Sequence, residues 1–75
     1  MNAQKFTKKA LEAVNSAQSI ALENQNMQIA PEHLLYALVD QEGGLIPQLL
    51  KKSGVDTDNL LSLIDSAINK IPAVS

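Results

Sequence analysis

Residues 29–44 read IAPEHLLYALVDQEGG, and they set the chain's only histidine between a glutamate and a pair of leucines. An acid beside an imidazole can serve acid/base chemistry, ligate a metal, or simply open a helix. The spacing favours the helix. Pro31 suits the first helical position, where its missing N–H has no partner to lose. Glu32 in the first turn complements the positive end of the helix dipole, which accounts for a carboxylate there without catalysis. Glu32 and His33 are neighbours in sequence, and such neighbours do not face one another on a helix. Leu34, Leu35, Leu38 and Val39 recur with a helical period and are expected to form the buried face, with His33, Tyr36 and Asp40 turned elsewhere. Gly43-Gly44 closes the segment as a turn. Position 30, where an N-cap should supply a side-chain oxygen, is alanine. The first N–H groups of this helix are therefore expected to be left to water, a neighbouring side chain or an anion.

Working outward from this segment, the same periodicity predicts an all-α fold of four helices, at about residues 3–24, 31–42, 46–53 and 57–71, and no strand. In the first, Phe6, Ala10, Ala13, Val14, Ala17, Ile20 and Ala21 fall on one stripe at roughly 100° per residue. A stripe made mostly of alanine lets a neighbouring helix approach closely. Leu11 and Leu22 lie off it on an otherwise polar face, where they are either scattered surface leucines or a contact strip for a partner. The third helix is expected to turn Leu45, Ile46, Leu49 and Leu50 inward and to stop at Gly54 in a left-handed conformation. Asp56 is a good N-cap for the fourth, whose expected buried positions are Leu60, Ile64, Ala67, Ile68 and Ile71 before Pro72 ends it. Residues 1–72 form one domain on this division, and residues 73–75 begin a linker.

Composition narrows the function classes. A 75-residue chain with 45% apolar content, one Phe, one Tyr and no Trp has room for a single aliphatic core. The formal charge is −2 and there is no arginine, so the clustered cations that neutralise nucleic-acid phosphates are missing. Lys5, Lys8 and Lys9 are the one basic cluster, and Glu12, four residues after Lys8, is placed to pair with it. Cysteine is absent, which excludes a disulfide framework and a thiol nucleophile and fits a reducing, cytoplasmic setting. A lone histidine lacks the paired spacing of a zinc site, no glycine-rich phosphate loop occurs, and no apolar run reaches signal-peptide or membrane-spanning length. No cofactor and no enzymatic activity are expected of these residues.

Three stretches, KFTKKALEAVNSAQSIA, QIAPEHLLYAL and LLKKSGVD, follow one another in an order and spacing that resembles the repeat of the Clp amino-terminal domain, the accessory module at the front of AAA+ unfoldases and disaggregases. Phe6-Thr7 followed by Ala10, and Glu32-His33-Leu34-Leu35 followed by Ala37-Leu38, are its most specific elements. DQEGG and the helix after it look more like the ClpB disaggregase branch than the protease-partnered ClpA and ClpC branches.

The resemblance implies a non-catalytic module that binds unfolded or aggregated polypeptide, or an adaptor protein, for ATPase modules elsewhere in the parent chain, in a stress-response chaperone. Charge and the lack of a long apolar run leave no expectation of a nucleic-acid or membrane partner. In the protease-partnered branch, matching threonine and glutamate positions line pockets for phosphorylated arginine; here those positions are Thr7 and Glu32, although Ala30-Pro31 replaces the usual Gly-Thr. Apolar client contact is expected at Leu11 and Leu22. Family domains carry two repeats related by a pseudo-twofold axis, and this chain matches one. A homodimer is therefore expected to stand in for the second, through Leu61 and Leu63 or through Leu11 and Leu22. The alternative from another class is an acyl-carrier-like protein modified at Ser66, suggested by the Asp65-Ser66 dipeptide; that serine falls inside the fourth helix, whereas a carrier serine opens one.

Overall fold

The computed structural model describes residues 3–74, with the side chains of Ala3, Lys5 and Phe6 left outside the description, so the expected roles of Lys5 and Phe6 lie beyond the described residues. Four helices follow in order: α1 (Ala3–Glu23), α2 (Pro31–Asp40), α3 (Leu45–Lys52) and α4 (Thr57–Asn69). No strand occurs among the described residues.

Local chemistry explains where α1 and α3 stop and where α4 begins. At the end of α1 the Asn26 N–H reaches the Ala21 carbonyl at 2.8 Å, and the Gln25 N–H reaches that of Leu22 at 3.0 Å. This is a Schellman closure with Gln25 itself in the left-handed region at φ 59°, a place more often held by glycine. α3 closes the same way, with Val55 bonded to Leu50, Gly54 bonded to Lys51, and Gly54 at φ 78° as expected. α4 begins at Asp56, whose Oδ1 accepts from the Asn59 N–H at 3.2 Å.

α2 is the central element. It packs against α1, α3 and α4, while α1 meets α4 only near its last turn, through Ile20 and Asn24. The core is accordingly split in two. Ala13, Ala17 and Ala37 form a close α1–α2 contact flanked by Ile20, Leu34 and Leu38. Val39, Ile64 and Ile68 form the other cluster, with Tyr36, Leu50, Leu60 and Leu61 around it. Hydrogen bonds at the far end of the pair, from Gln41 Nε2 to the Lys9 carbonyl (2.7 Å) and from Lys9 Nζ to that of Glu42 (3.1 Å), make α1 and α2 antiparallel.

Several expectations fail for one physical reason: the helices do not close around one core, since α1 packs along α2 and meets α4 only near its last turn, so fewer faces are covered than a closed bundle would cover. Ala10, Val14 and Leu35 are exposed, as are Leu45, Ile46 and Leu49; of the four α3 residues expected inward, only Leu50 is half-buried. On α2, Val39 is buried as expected, but Ala37 and His33 take the other buried places, and Leu34 and Leu38 are half-buried. Glu12 pairs with Lys9 at 3.6 Å, three residues away, on the side of the helix where Lys9 also reaches Glu42. Beyond α4 the chain folds back: the Pro72 carbonyl accepts from Asn26 Nδ2 at 3.2 Å and the Val74 N–H reaches the Gln25 carbonyl at 2.7 Å.

Candidate functional site

The most ordered polar arrangement lies where the α1–α2 loop, the start of α2 and the end of α4 converge. His33, expected to point away from the core, is fully buried. Its Nδ1 accepts the Ala30 N–H at 2.8 Å, so Nε2 carries the ring hydrogen and donates to Asn26 Oδ1, also at 2.8 Å. That oxygen accepts a second bond from Asn24 Nδ2 (2.8 Å), and the same amide reaches the Ile68 carbonyl at 3.0 Å. Asn26 Nδ2 then donates to Pro72. Every polar atom of this buried group has a partner, and together they hold three chain segments in register. The arrangement is structural: both imidazole nitrogens are engaged inside the fold, which leaves neither for a substrate.

The network also revises the start of α2. His33, at the third helical position, reaches back to the cap residue's N–H as the glutamate of a capping box does, so the loop is tied even though Ala30 has no side-chain acceptor. The forward half of the box stays empty. Ala30 has the extended backbone of an N-cap, φ −88° and ψ 161°. Ala30→Asp is therefore expected to raise stability by about 0.5–2 kcal/mol by adding a side-chain acceptor and a favourable charge at the helix start, measurable as a higher urea midpoint at unchanged slope.

The four residues singled out from the sequence do not assemble into one site. Thr7 lies two residues before Lys9, and therefore beside the C-terminal end of α2; Glu32 lies in the first turn of α2 and is half-buried. The nine residues from Glu32 to Gln41 span roughly 14 Å at 1.5 Å per residue, so Thr7 and Glu32 sit at opposite ends of the helix pair and share no pocket within one chain. Leu11 and Leu22 are both exposed, at 60% and 75%, on the side of α1 away from its alanines. Leu22 borders a shallow groove of about 280 Å³ with Met27, Ile29, Gln18 and Ala21; Leu11 does not line it. Met27, 83% exposed, went unnoticed in the sequence because it sits in a polar loop without periodicity.

Among the described residues no group of three or more His, Cys, Asp or Glu side chains could hold a metal ion. Ser66, the carrier-type candidate, lies within α4 with its hydroxyl bonded back to the Ser62 carbonyl at 3.1 Å, as an ordinary helix serine does. No helix among the described residues is long and apolar enough to cross a membrane. The family model described as the Clp repeat (R) N-terminal domain matches residues 5–75.

The chain belongs to the Clp amino-terminal domain family. Its similarity to individual proteins points to one branch, as the DQEGG segment suggested. It is 36% identical over all 75 residues to chaperone protein ClpB of Brucella suis biovar 1, of which it covers 9%. It is 40% identical over 74 residues, 99% of the chain, to chaperone protein ClpB of Rickettsia felis and equally to that of Clostridium perfringens, covering 9% and 8% of their lengths. The chain thus spans less than a tenth of each of these relatives.

Proposed function

We propose that this Clp N module binds exposed apolar segments of unfolded or aggregated polypeptide, or an adaptor that carries them, on behalf of the ATPase modules of a ClpB-like disaggregase in the cytoplasm. One observation supports this above the others: Leu22 and Met27, among the most exposed large apolar side chains of the described residues, border a single shallow groove at the end of α1. Isolated exposed leucines are ordinary, but neighbouring ones beside a concavity offer an extended chain both area and a place to lie. Polar flanks at Gln18 and Gln28 leave donors and acceptors for the client's backbone. Binding of this kind is weak and tolerant of sequence, as a module that samples many clients requires.

Leu11→Ser with Leu22→Ser tests the reading. Both side chains are exposed, so the double variant is expected to keep its circular dichroism spectrum and melting curve while its affinity for a fluorescently labelled, permanently unfolded protein falls about tenfold by anisotropy, equivalent to 1.4 kcal/mol. Leu22→Ser alone is expected to account for most of the loss, because Leu11 stands outside the groove. Unchanged affinity in the folded double variant would remove the groove as a client site.

A further inference from the structure

The groove at the end of α1 is electrically neutral. Gln18, Asn26 and Gln28 form its polar rim and Leu22, Met27 and Ile29 its apolar edge, and none of its described lining residues is acidic or basic. Hollows elsewhere on the molecule have carboxylates in their linings, Asp40 or Asp65 among them. A chain lying in the neutral groove is therefore held by apolar contact and hydrogen bonds, with no ion pair to compensate for a contact that is lost.

Met27 is the most exposed part of the apolar edge, at 83% against 75% for Leu22 and 40% for Ile29. The fold fixes its place. Asn26, the residue before it, is buried and bonded through its amide to His33, Asn24 and the Pro72 carbonyl, and Ala30, three residues after it, is tied to His33. The loop is thus anchored on both sides while the thioether projects into solvent. The chain has two methionines and no cysteine, so Met27 carries the one sulfur atom among the described residues.

We infer that Met27 is a redox-sensitive contact of the client groove, switched off by a peroxide. The inference rests on the groove being the client site. A sulfur lone pair attacks one oxygen of hydrogen peroxide: an S–O bond forms, the O–O bond breaks, and the departing hydroxide takes the remaining proton and leaves as water. Sulfur loses the two electrons that the peroxide gains, and the product is methionine sulfoxide. A strong acceptor oxygen then stands where a soft apolar tip had been, and an arriving apolar side chain must strip water from it without replacing the bond. Because the side chain lies outside the core, the loss falls on binding and leaves the fold intact. Reduction by a dithiol, catalysed by a methionine sulfoxide reductase, returns the thioether and yields a disulfide and water, so the change is reversible.

Peroxide treatment of the 75-residue chain tests this, with the site of oxidation located by peptide mass and affinity for the labelled unfolded protein read by anisotropy. The untreated chain is expected to bind; if it does not, the client groove is overturned and this inference with it. Oxidation at Met27 is expected to weaken binding about fivefold at unchanged circular dichroism and melting temperature, with recovery after treatment with the reductase and a dithiol. Met27→Leu keeps the apolar contact and can be oxidised only at Met1, so it should bind as the parent does and be indifferent to peroxide. Met27→Gln should bind as weakly as the sulfoxide without any treatment. Affinity unchanged by oxidation at Met27, in a chain that binds when untreated, would overturn the inference and leave the groove standing. An equal peroxide effect in Met27→Leu would assign the change to Met1, and a lowered melting temperature would make Met27 a structural residue; either result also overturns it.

Discussion

Replacing His33 with leucine is expected to cost about 2–4 kcal/mol, because it strips the Ala30 N–H of its acceptor and Asn26 Oδ1 of one of its two donors in a buried setting. A single small core supplies only about 3–5 kcal/mol, so much of the variant population should be unfolded at 25 °C. The loss is one of hydrogen bonding, since leucine fills a similar volume. His33→Gln is the control. A glutamine amide can accept from the cap N–H, as in a capping box, and can donate toward Asn26, so it should recover most of the loss. Urea titrations of the three proteins decide it. A leucine variant within about 0.5 kcal/mol of the parent would show that the network merely occupies space.

Ala17→Leu is the second large effect. Ala17 has no exposed surface and lies in the α1–α2 contact with Ala13 and Ala37. Three added carbons must separate the helices or force strained rotamers, a cost of about 1–3 kcal/mol despite leucine's good helix propensity. Ala10→Leu, on an exposed turn of the same helix, should stay within about 0.5 kcal/mol of the parent. Thermal melts of the pair separate packing from propensity. Equal stability of the two variants would mean that the α1–α2 contact is loose.

The four helices and most of their boundaries were legible in the sequence because local signals determine them, although α4 stops at Asn69, short of Pro72, and the left-handed Gln25 after α1 carries no such signal. Asp56 caps α4, Gly54 takes the left-handed position after α3 and Pro31 opens α2, each through chemistry that needs no distant partner. The alanine spacing of α1 likewise foretold a close contact, and Leu11 and Leu22 were legible as surface residues because they fall off that stripe. Long-range placement was not legible. Periodicity says which residues share a helix flank, but whether that flank is covered depends on how many neighbours the helix has. α2 has three, α1 is flanked along most of its length by α2 alone, and α3 buries none of its residues fully. Thus Leu45, Leu49 and Val14, apolar and correctly spaced, are exposed, while His33 is buried because Asn26, brought back by the left-handed turn at Gln25, is there to take its hydrogen. The distance between Thr7 and Glu32 follows from the antiparallel run of two helices, and no pattern within either helix contains it. Sequence by itself determined the four helices and most of their boundaries, through local backbone chemistry, and the family, through the order and spacing of its motifs. Tertiary structure alone decided which apolar flank is covered and which polar side chain is enclosed, because burial is a property of neighbours.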